Sequence, residues 1–422
     1  MALFENDLKD PQVKTGQLVV LGLQHTFTMF GATVLVPILT GMNISVALFM
    51  AGIGTLFFHL VTKGKMPIFL GSSFAFIAPI IIASEVFGLP YALGGIVVAG
   101  LLYLVLAVLV YFVGAKKIIS FFPPIVTGPI IMVIGLNLAP VAIGMANENW
   151  LLALLGFSIV VIVNIFFKGF FKTLPVLLGL IVSYGVACLF TVAGVPLVDF
   201  TPIIQAAWFG FPEFVLAKFS PAAIMMVAPV AICTMVEHIG DVVAVGAICD
   251  RDAIKNPGLH RTLIGDGIAT SISAMFGGPA NTTYSENTGV LALTRKHDPR
   301  IMRIAAVFAL VLGVIPKLGA VISTIPGSIV GGISIVLFGM IASVGARTLV
   351  ENKVDLQSAR NLLIAAVILV LGIGGASISI SLGVTGFDIT GMALAAIIGI
   401  ILNKVLPGGQ KQSYESVGTK SE

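Results

Sequence analysis

The sequence predicts an all-α polytopic membrane protein of 14 transmembrane segments, built as two inverted seven-span repeats with short extended stretches in spans 3 and 10. Three observations predict it: an apolar composition, the placement of the basic residues, and an internal repeat. Of 422 residues, 58% are hydrophobic and 10% charged, with 47 Gly, and the mean hydropathy is +1.09. Soluble globular domains are not built this way. A span needs about 20 apolar residues, so the chain holds roughly 14 spans and a polar tail.

Apolar runs between charged or Gly/Pro breaks place spans at 16–39, 44–62, 67–84, 91–114, 119–144, 150–167 and 174–195 in the first half. The second half has them at 221–248, 262–277, 283–294, 301–316, 321–345, 360–377 and 387–406. This count puts 21 of the 23 Lys plus Arg on one side and leaves only Lys218 and Lys317 on the other. By the positive-inside rule both termini are cytoplasmic, in a protein integral to the cell membrane. The same bias accounts for the formal charge of +4, so nucleic acid is not an expected partner and membrane lipid is. The N-terminus, MALFENDLKDPQVK, lacks the basic, apolar and small-residue regions of a secretory signal, so span 1 is expected to be kept. Cys188, Cys233 and Cys249 have no CxxC spacing and read as packing residues. No metal and no cofactor is expected.

The repeat is read from three ordered matches. Gln24-His25 in span 1 lies 213 residues before Glu237-His238 in span 8. Pro67 and Ser73 in span 3 lie 212 before Pro279 and Ser285 in span 10, and Val126, Gly128 and Gly135 lie 204 before Val330, Gly332 and Gly339. Seven is odd, so the second copy enters the membrane from the opposite side. Spans 3 and 10 then face each other near the midplane, as in secondary carriers. Both are poor lipid-facing helices: Pro67–Pro79 contains GSS, ending at Ser73, and 277–294 contains GGPANTTYSEN. Such backbone is tolerated at membrane depth where it is buried in protein or lines a cavity.

An acid at the bilayer centre costs about 2.5–3.5 kcal/mol on insertion scales, so Glu237, Asp241 and Glu286 are functional candidates. Glu237 and Asp241 are i and i+4, about 40° apart on one helix face. Two carboxyls that close in a dry site hold one proton between them and titrate as a unit, which suits proton carriage. Glu286 sits in Tyr284-Ser285-Glu286-Asn287-Thr288-Gly289, where the broken segment turns into a helix. The free N–H groups of a helix start donate to carbonyls while a carboxylate accepts N–H groups, so a flat solute with both on one edge fits. Phe74 and Tyr284 stand to cover its ring faces. His25 and His238 read either as proton relays or as structural hydrogen-bonding residues; His238 joins Glu237 and Asp241 as a candidate coupling group. Asp266 reads as a cytoplasmic-end partner of Arg261, and Val198–Ser220, with Trp208, as an extracellular linker.

These motifs resemble the nucleobase-ascorbate transporters, and within them the bacterial uracil permeases. The family signature appears as Glu286-Asn287-Thr288-Gly289 running to Thr294-Arg295, the span 1 motif as Gln24-His25, GSSFAF as Gly71–Phe76, and NPGLHR as Asn256–Arg261. Similarity runs from about residue 15 to 406. The resemblance implies core and gate domains: 1–114 and 221–316 form the core, 115–220 and 317–406 the gate, and 407–422 a polar cytoplasmic tail. It implies proton-coupled uracil import by an elevator-type movement, a homodimer through the gate, and substrate contacts by Glu237, Glu286, Phe74, Ser73, Tyr284, Ser285 and Ala32. Three positions depart from the pattern. Asp241 replaces an expected histidine and Phe338 a frequent tyrosine, which suggests an altered proton relay, and Ser285 replaces a common glycine, which slightly narrows the pocket. Rival readings are a purine permease for xanthine or urate, an intramembrane protease suggested by Gly265-Asp266, and a passive channel. The protease reading lacks a partner Tyr-Asp span and a complete GxGD motif; the paired broken segments argue against the channel.

Overall fold

The computed structural model describes residues 14–382 and 385–407, the side chains of 379–390 excepted. The expected N-terminal arm up to residue 13 and the tail from 408 lie outside the described residues. The first quarter is α1 (Thr15–Thr40), α2 (Ile44–Val61), strand β1 (Leu70–Ser72), α3 (Ile77–Phe87) and α4 (Leu89–Val113). Gly41, at φ 71°, closes α1, and the Asn43 side chain accepts from Val46 N–H to start α2. Between β1 and α3 a 3₁₀ turn spans Phe74–Phe76. Next come α5 (Ala115–Ile119), α6 (Pro124–Asn137), α7 (Ala139–Ala146), α8 (Trp150–Phe166), α9 (Pro175–Val192) and the short α10 (Thr201–Gln205). Proline stands in the first turn of α6, α7 and α9, where no N–H is missed.

The second half opens with α11 (Pro221–Val227), a 3₁₀ turn at Pro229, α12 (Ala231–Ile248) and α13 (Leu259–Met275). Strand β2 (Asn281–Thr283), α14 (Ser285–Thr294), α15 (Pro299–Gly313), α16 (Pro316–Ser323) and α17 (Gly327–Glu351) follow. The chain ends on α18 (Ala359–Ile373), β3 (Ser377–Leu382), β4 (Thr385–Thr390) and α19 (Gly391–Val405). Among the described residues seven helices are long and apolar enough to cross a membrane; α15 and α16, bent by 79° at Pro316, make an eighth if taken together. Four shorter apolar helices, among them α8, α18 and α19, add to these.

Three sequence expectations shift. Span 12 was expected at 321–345, but Pro326 can only precede a helix here, so α17 runs on to Glu351 and carries Arg347. Span 14 was expected from 387, but α18 stops at Gly374 and Gly375 (φ 65°), the antiparallel pair β3 and β4 follows, and helix resumes at Gly391. The expected span 5 is interrupted at one residue, Leu138, between α6 and α7, which together make one apolar span, Pro124–Ala146.

The extended stretches of spans 3 and 10 are present and meet. β1 and β2 pair antiparallel, with Leu70 opposite Thr283 and Ser72 opposite Asn281. Buried Thr55 serves the edge of β1, donating to Leu70 O at 3.1 Å and accepting from Leu70 N–H at 2.9 Å. Helices α1, α2, α12 and α13 pack against this pair, α4 packs on α13 and α15 on α2, and α17 packs on α6, α8 and α9. Glycines set the closest approach: a Cβ on Gly267 of α13 would stand 2.6 Å from Gly100 O of α4, and one on Gly100 would overlap the Gly267 carbonyl oxygen. Gly100→Leu is therefore expected to cost about 1–3 kcal/mol by overpacking, read as a lower Tm and reduced monodisperse yield.

Candidate functional site

The cavity next to the strand pair has a volume of about 720 Å³. One wall comes from α1 (Thr28, Ala32), the 3₁₀ turn (Phe74, Ala75), α12 (Glu237, Asp241), β2 (Thr282, Thr283) and the start of α14 (Ser285, Glu286). The facing wall is apolar along most of its length, with Ile131 and Ile134 of α6, Val176 and Leu177 of α9, and Leu337, Met340 and Ile341 of α17. The cavity extends to the end of α17, where Arg347 and Glu351, 3.5 Å apart, are 65% and 66% exposed. Beside this mouth the chain carries Lys172 and Lys353, each one residue from the lining Thr173 and Asn352, and Lys116 and Lys117, shortly before the lining Ile119.

Six of the seven expected contact residues line this space: Glu237, Glu286, Phe74, Tyr284, Ser285 and Ala32. Ser73 does not. It is fully buried, its N–H donates to Ala280 O at 2.8 Å, and its hydroxyl finds no partner among the described residues. It lies just past the strand pair, one residue beyond Ser72.

Asp241 is tied to the strand and helix start opposite it. Its Oδ1 accepts from Ser285 Oγ at 3.0 Å, and its Oδ2 accepts a short hydrogen bond from Thr283 Oγ1. Both oxygens of the carboxylate are thus served by hydroxyls, as an acceptor-only group requires. Among the described residues no side chain donates to the Glu237 carboxyl, which lines the cavity one turn earlier. Thr283 was not singled out in the sequence, and the only signal was its position two residues before Ser285 in NTTYSEN.

Tyr284 is mostly structural. Its hydroxyl donates to Ser72 O at 3.1 Å and accepts from Thr33 Oγ1 at 3.2 Å, which leaves part of the ring at the cavity. The ring fills the space over Gly71, where a Cβ would overlap it. Phe74 stands at the back of the cavity with its ring 6.2 Å from that of Phe338, edge to face at 72°. At the start of α14 the Tyr284 side chain makes no capping bond, and the Glu286 carboxyl is set against its own backbone N–H.

Both histidines lie away from the cavity. Asn287 Nδ2 donates to His25 O and to His25 Nδ1, both at 3.1 Å, so Nδ1 is the unprotonated nitrogen and the pair joins α1 to α14. His238, an expected coupling group, is fully buried with Nδ1 2.8 Å from Asp266 Oδ2. This overturns the expected Asp266–Arg261 pairing: α13 begins three residues earlier than its apolar run, at Leu259, and turns Asp266 inward. Among the described residues no group of three His, Cys, Asp or Glu stands ready to hold a metal.

The fold is shared with known transporters. It superposes on the transmembrane domain of the cyanobacterium bicarbonate transporter BicA with a TM-score of 0.62 at 16% identity, covering 91% of this chain and 96% of that one. The murine solute carrier 26 family member A9 anion transporter, in its inward-facing state, gives 0.66 at 11% identity over 93% and 69%. In sequence the chain is 45% identical to the uracil permease of Bacillus caldolyticus over 95% of this chain and 94% of that one. It is 44% identical to the uracil permease of Bacillus subtilis over 94% of each, and 42% identical to the putative pyrimidine permease RutG of Escherichia coli over 94% and 91%. Fold, cavity and relatives together define an integral membrane transporter rather than an enzyme. The model of the Permease family matches residues 16–380, and the chain belongs to that family, as its nucleobase-ascorbate transporter motifs indicate.

Proposed function

We propose that the protein imports uracil together with a proton, by elevator-type alternating access. The observation that carries this reading is the one-sided polarity of the cavity. Glu237, Asp241, Ser285 and Glu286 all stand on one wall, and the opposite wall is largely apolar. A body that holds every polar contact can slide past an apolar surface without breaking them. In this account 1–114 and 221–316 are the moving core and 115–220 and 317–406 the gate, with 407–422 a cytoplasmic tail. Tight packing of α4 on α13 and of α2 on α15 within the core, and of α17 on α6 and α8 within the gate, supports the division. Antiparallel pairing of β1 with β2 supports an inverted repeat, and with it 14 spans and two cytoplasmic termini. The mouth on the basic face then makes this the inward-facing form. The gate also presents the surface for a homodimer within the lipid.

Uracil offers N–H and C=O groups on one edge of a flat ring. Glu286 and Glu237 accept its N–H groups, the first-turn N–H groups of α14 donate to a carbonyl, and Phe74, Tyr284, Ser285 and Ala32 enclose the ring. Ser73 supports this pocket from behind. The proton is shared between Glu237 and Asp241, and its arrival precedes uracil; His238 contributes from behind the helix. Asp241→Asn is expected to flatten the pH dependence of uptake, and an unchanged profile would remove Asp241 from coupling. The relatives named for uracil support the substrate. Equilibrium binding of labelled uracil to the purified protein tests it: excess unlabelled uracil displaces the label, and xanthine and urate do not. Stronger displacement by xanthine would replace uracil with a purine.

A further inference from the structure

We infer that Asp266 is a positioning residue that, by holding His238, fixes the rotation of α12 and so keeps Glu237 and Asp241 turned toward the cavity. The inference rests on the assignment of Glu237 and Asp241 to the substrate and proton site.

Helix α12 is poorly secured by its own sequence. It follows a 3₁₀ turn at Pro229, carries Gly240 at its middle, and borders the cavity along one side. Its two acids and its imidazole sit at 237, 241 and 238. At about 100° per residue, His238 lies roughly 100° round the helix from Glu237 and 60° from Asp241. Left alone, such a helix would turn all three toward the water of the cavity. Instead His238 is fully buried and 2.8 Å from a fully buried Asp266 on α13. The Tyr103 ring from α4, 1% exposed, meets the imidazole edge to face with centroids 6.1 Å apart at 79°. The platform behind is rigid, since Gly267, next to Asp266, packs on Gly100 and Tyr103 with no room for a Cβ. His238 is thus held from α13 and α4, and Glu237 and Asp241 are aimed by it.

Without the carboxylate, the imidazole would be a buried polar group deprived of the charge 2.8 Å away, and rotation toward the cavity would be the way to water. The pair touches neither cavity nor lipid, so its effect on substrate passes through α12.

Cysteine labelling reads the rotation directly and needs no substrate. In full-length protein whose three native cysteines are replaced by alanine, Ala244→Cys lies on the cavity and Val245→Cys is buried. A membrane-impermeant maleimide is expected to label the first and spare the second. Adding Asp266→Ala is expected to slow labelling at 244, open it at 245, and weaken uracil binding by at least about tenfold. Asp266→Asn, which keeps an oxygen beside Nδ1, is expected to keep the original pattern. Where Asp266→Ala does not fold, His238→Leu with Asp266→Leu removes the anchor without stranding a polar group. An unchanged labelling pattern in either folded variant overturns the inference. Absence of uracil binding in the unmodified protein would overturn the substrate assignment and leave the labelling result standing.

Discussion

Replacing Glu286 with alanine is expected to abolish measurable uracil accumulation while leaving the protein folded. Glu286 lines the cavity at the start of α14 and no backbone element depends on its side chain. The substitution removes a charged acceptor for a substrate N–H on the cavity wall. Hydrogen bonds to charged groups contribute about 1.5–3 kcal/mol, and the unpaired substrate N–H adds a desolvation cost of similar size. The affinity should therefore fall by roughly 100-fold or more, since about 1.4 kcal/mol corresponds to tenfold. Titration of purified protein with labelled uracil, alongside a thermal melt, separates this loss from unfolding. Wild-type affinity in a folded Glu286→Ala protein would move the substrate away from α14.

Glu237→Gln is expected to separate binding from coupling. A glutamine keeps a carbonyl oxygen that accepts a substrate N–H, yet it cannot bind or release a proton. Exchanging a charged acceptor for a neutral one should cost roughly tenfold in affinity. Uracil should then equilibrate across a vesicle membrane without being concentrated. Neighbouring Asp241, which shares the proton with Glu237 in this account, is expected not to couple uptake alone; its oxygens already accept from Thr283 and Ser285. Concentrative uptake by Glu237→Gln would place the proton on another group.

Much of the site was legible in the sequence because membrane chemistry is restrictive. Gly, Pro, Ser and Asn at membrane depth marked 67–79 and 277–294 as poor helices, and the strand pair of 70–72 and 281–283 lies within them. Acids in apolar runs marked Glu237, Asp241 and Glu286, and all three line one cavity. What was not legible depended on rotation and on contacts between distant helices. Whether Ser73 faces the cavity or the protein interior is decided at one residue of extended backbone, where successive side chains point to opposite sides. Asp266 was matched with the nearest basic residue in sequence, whereas the start of α13 turns it toward His238 on another helix. The hairpin after α18 replaced part of an expected helix, because a run such as SISISLGVTGF reads equally as apolar helix or alternating strand.

The most direct test of the account is uptake of labelled uracil into proteoliposomes bearing the purified protein, with an imposed inward proton gradient. The account predicts accumulation above the equilibrium level that collapses on adding an uncoupler. Uptake that stops at the equilibrium level, with or without the gradient, would contradict proton-coupled import.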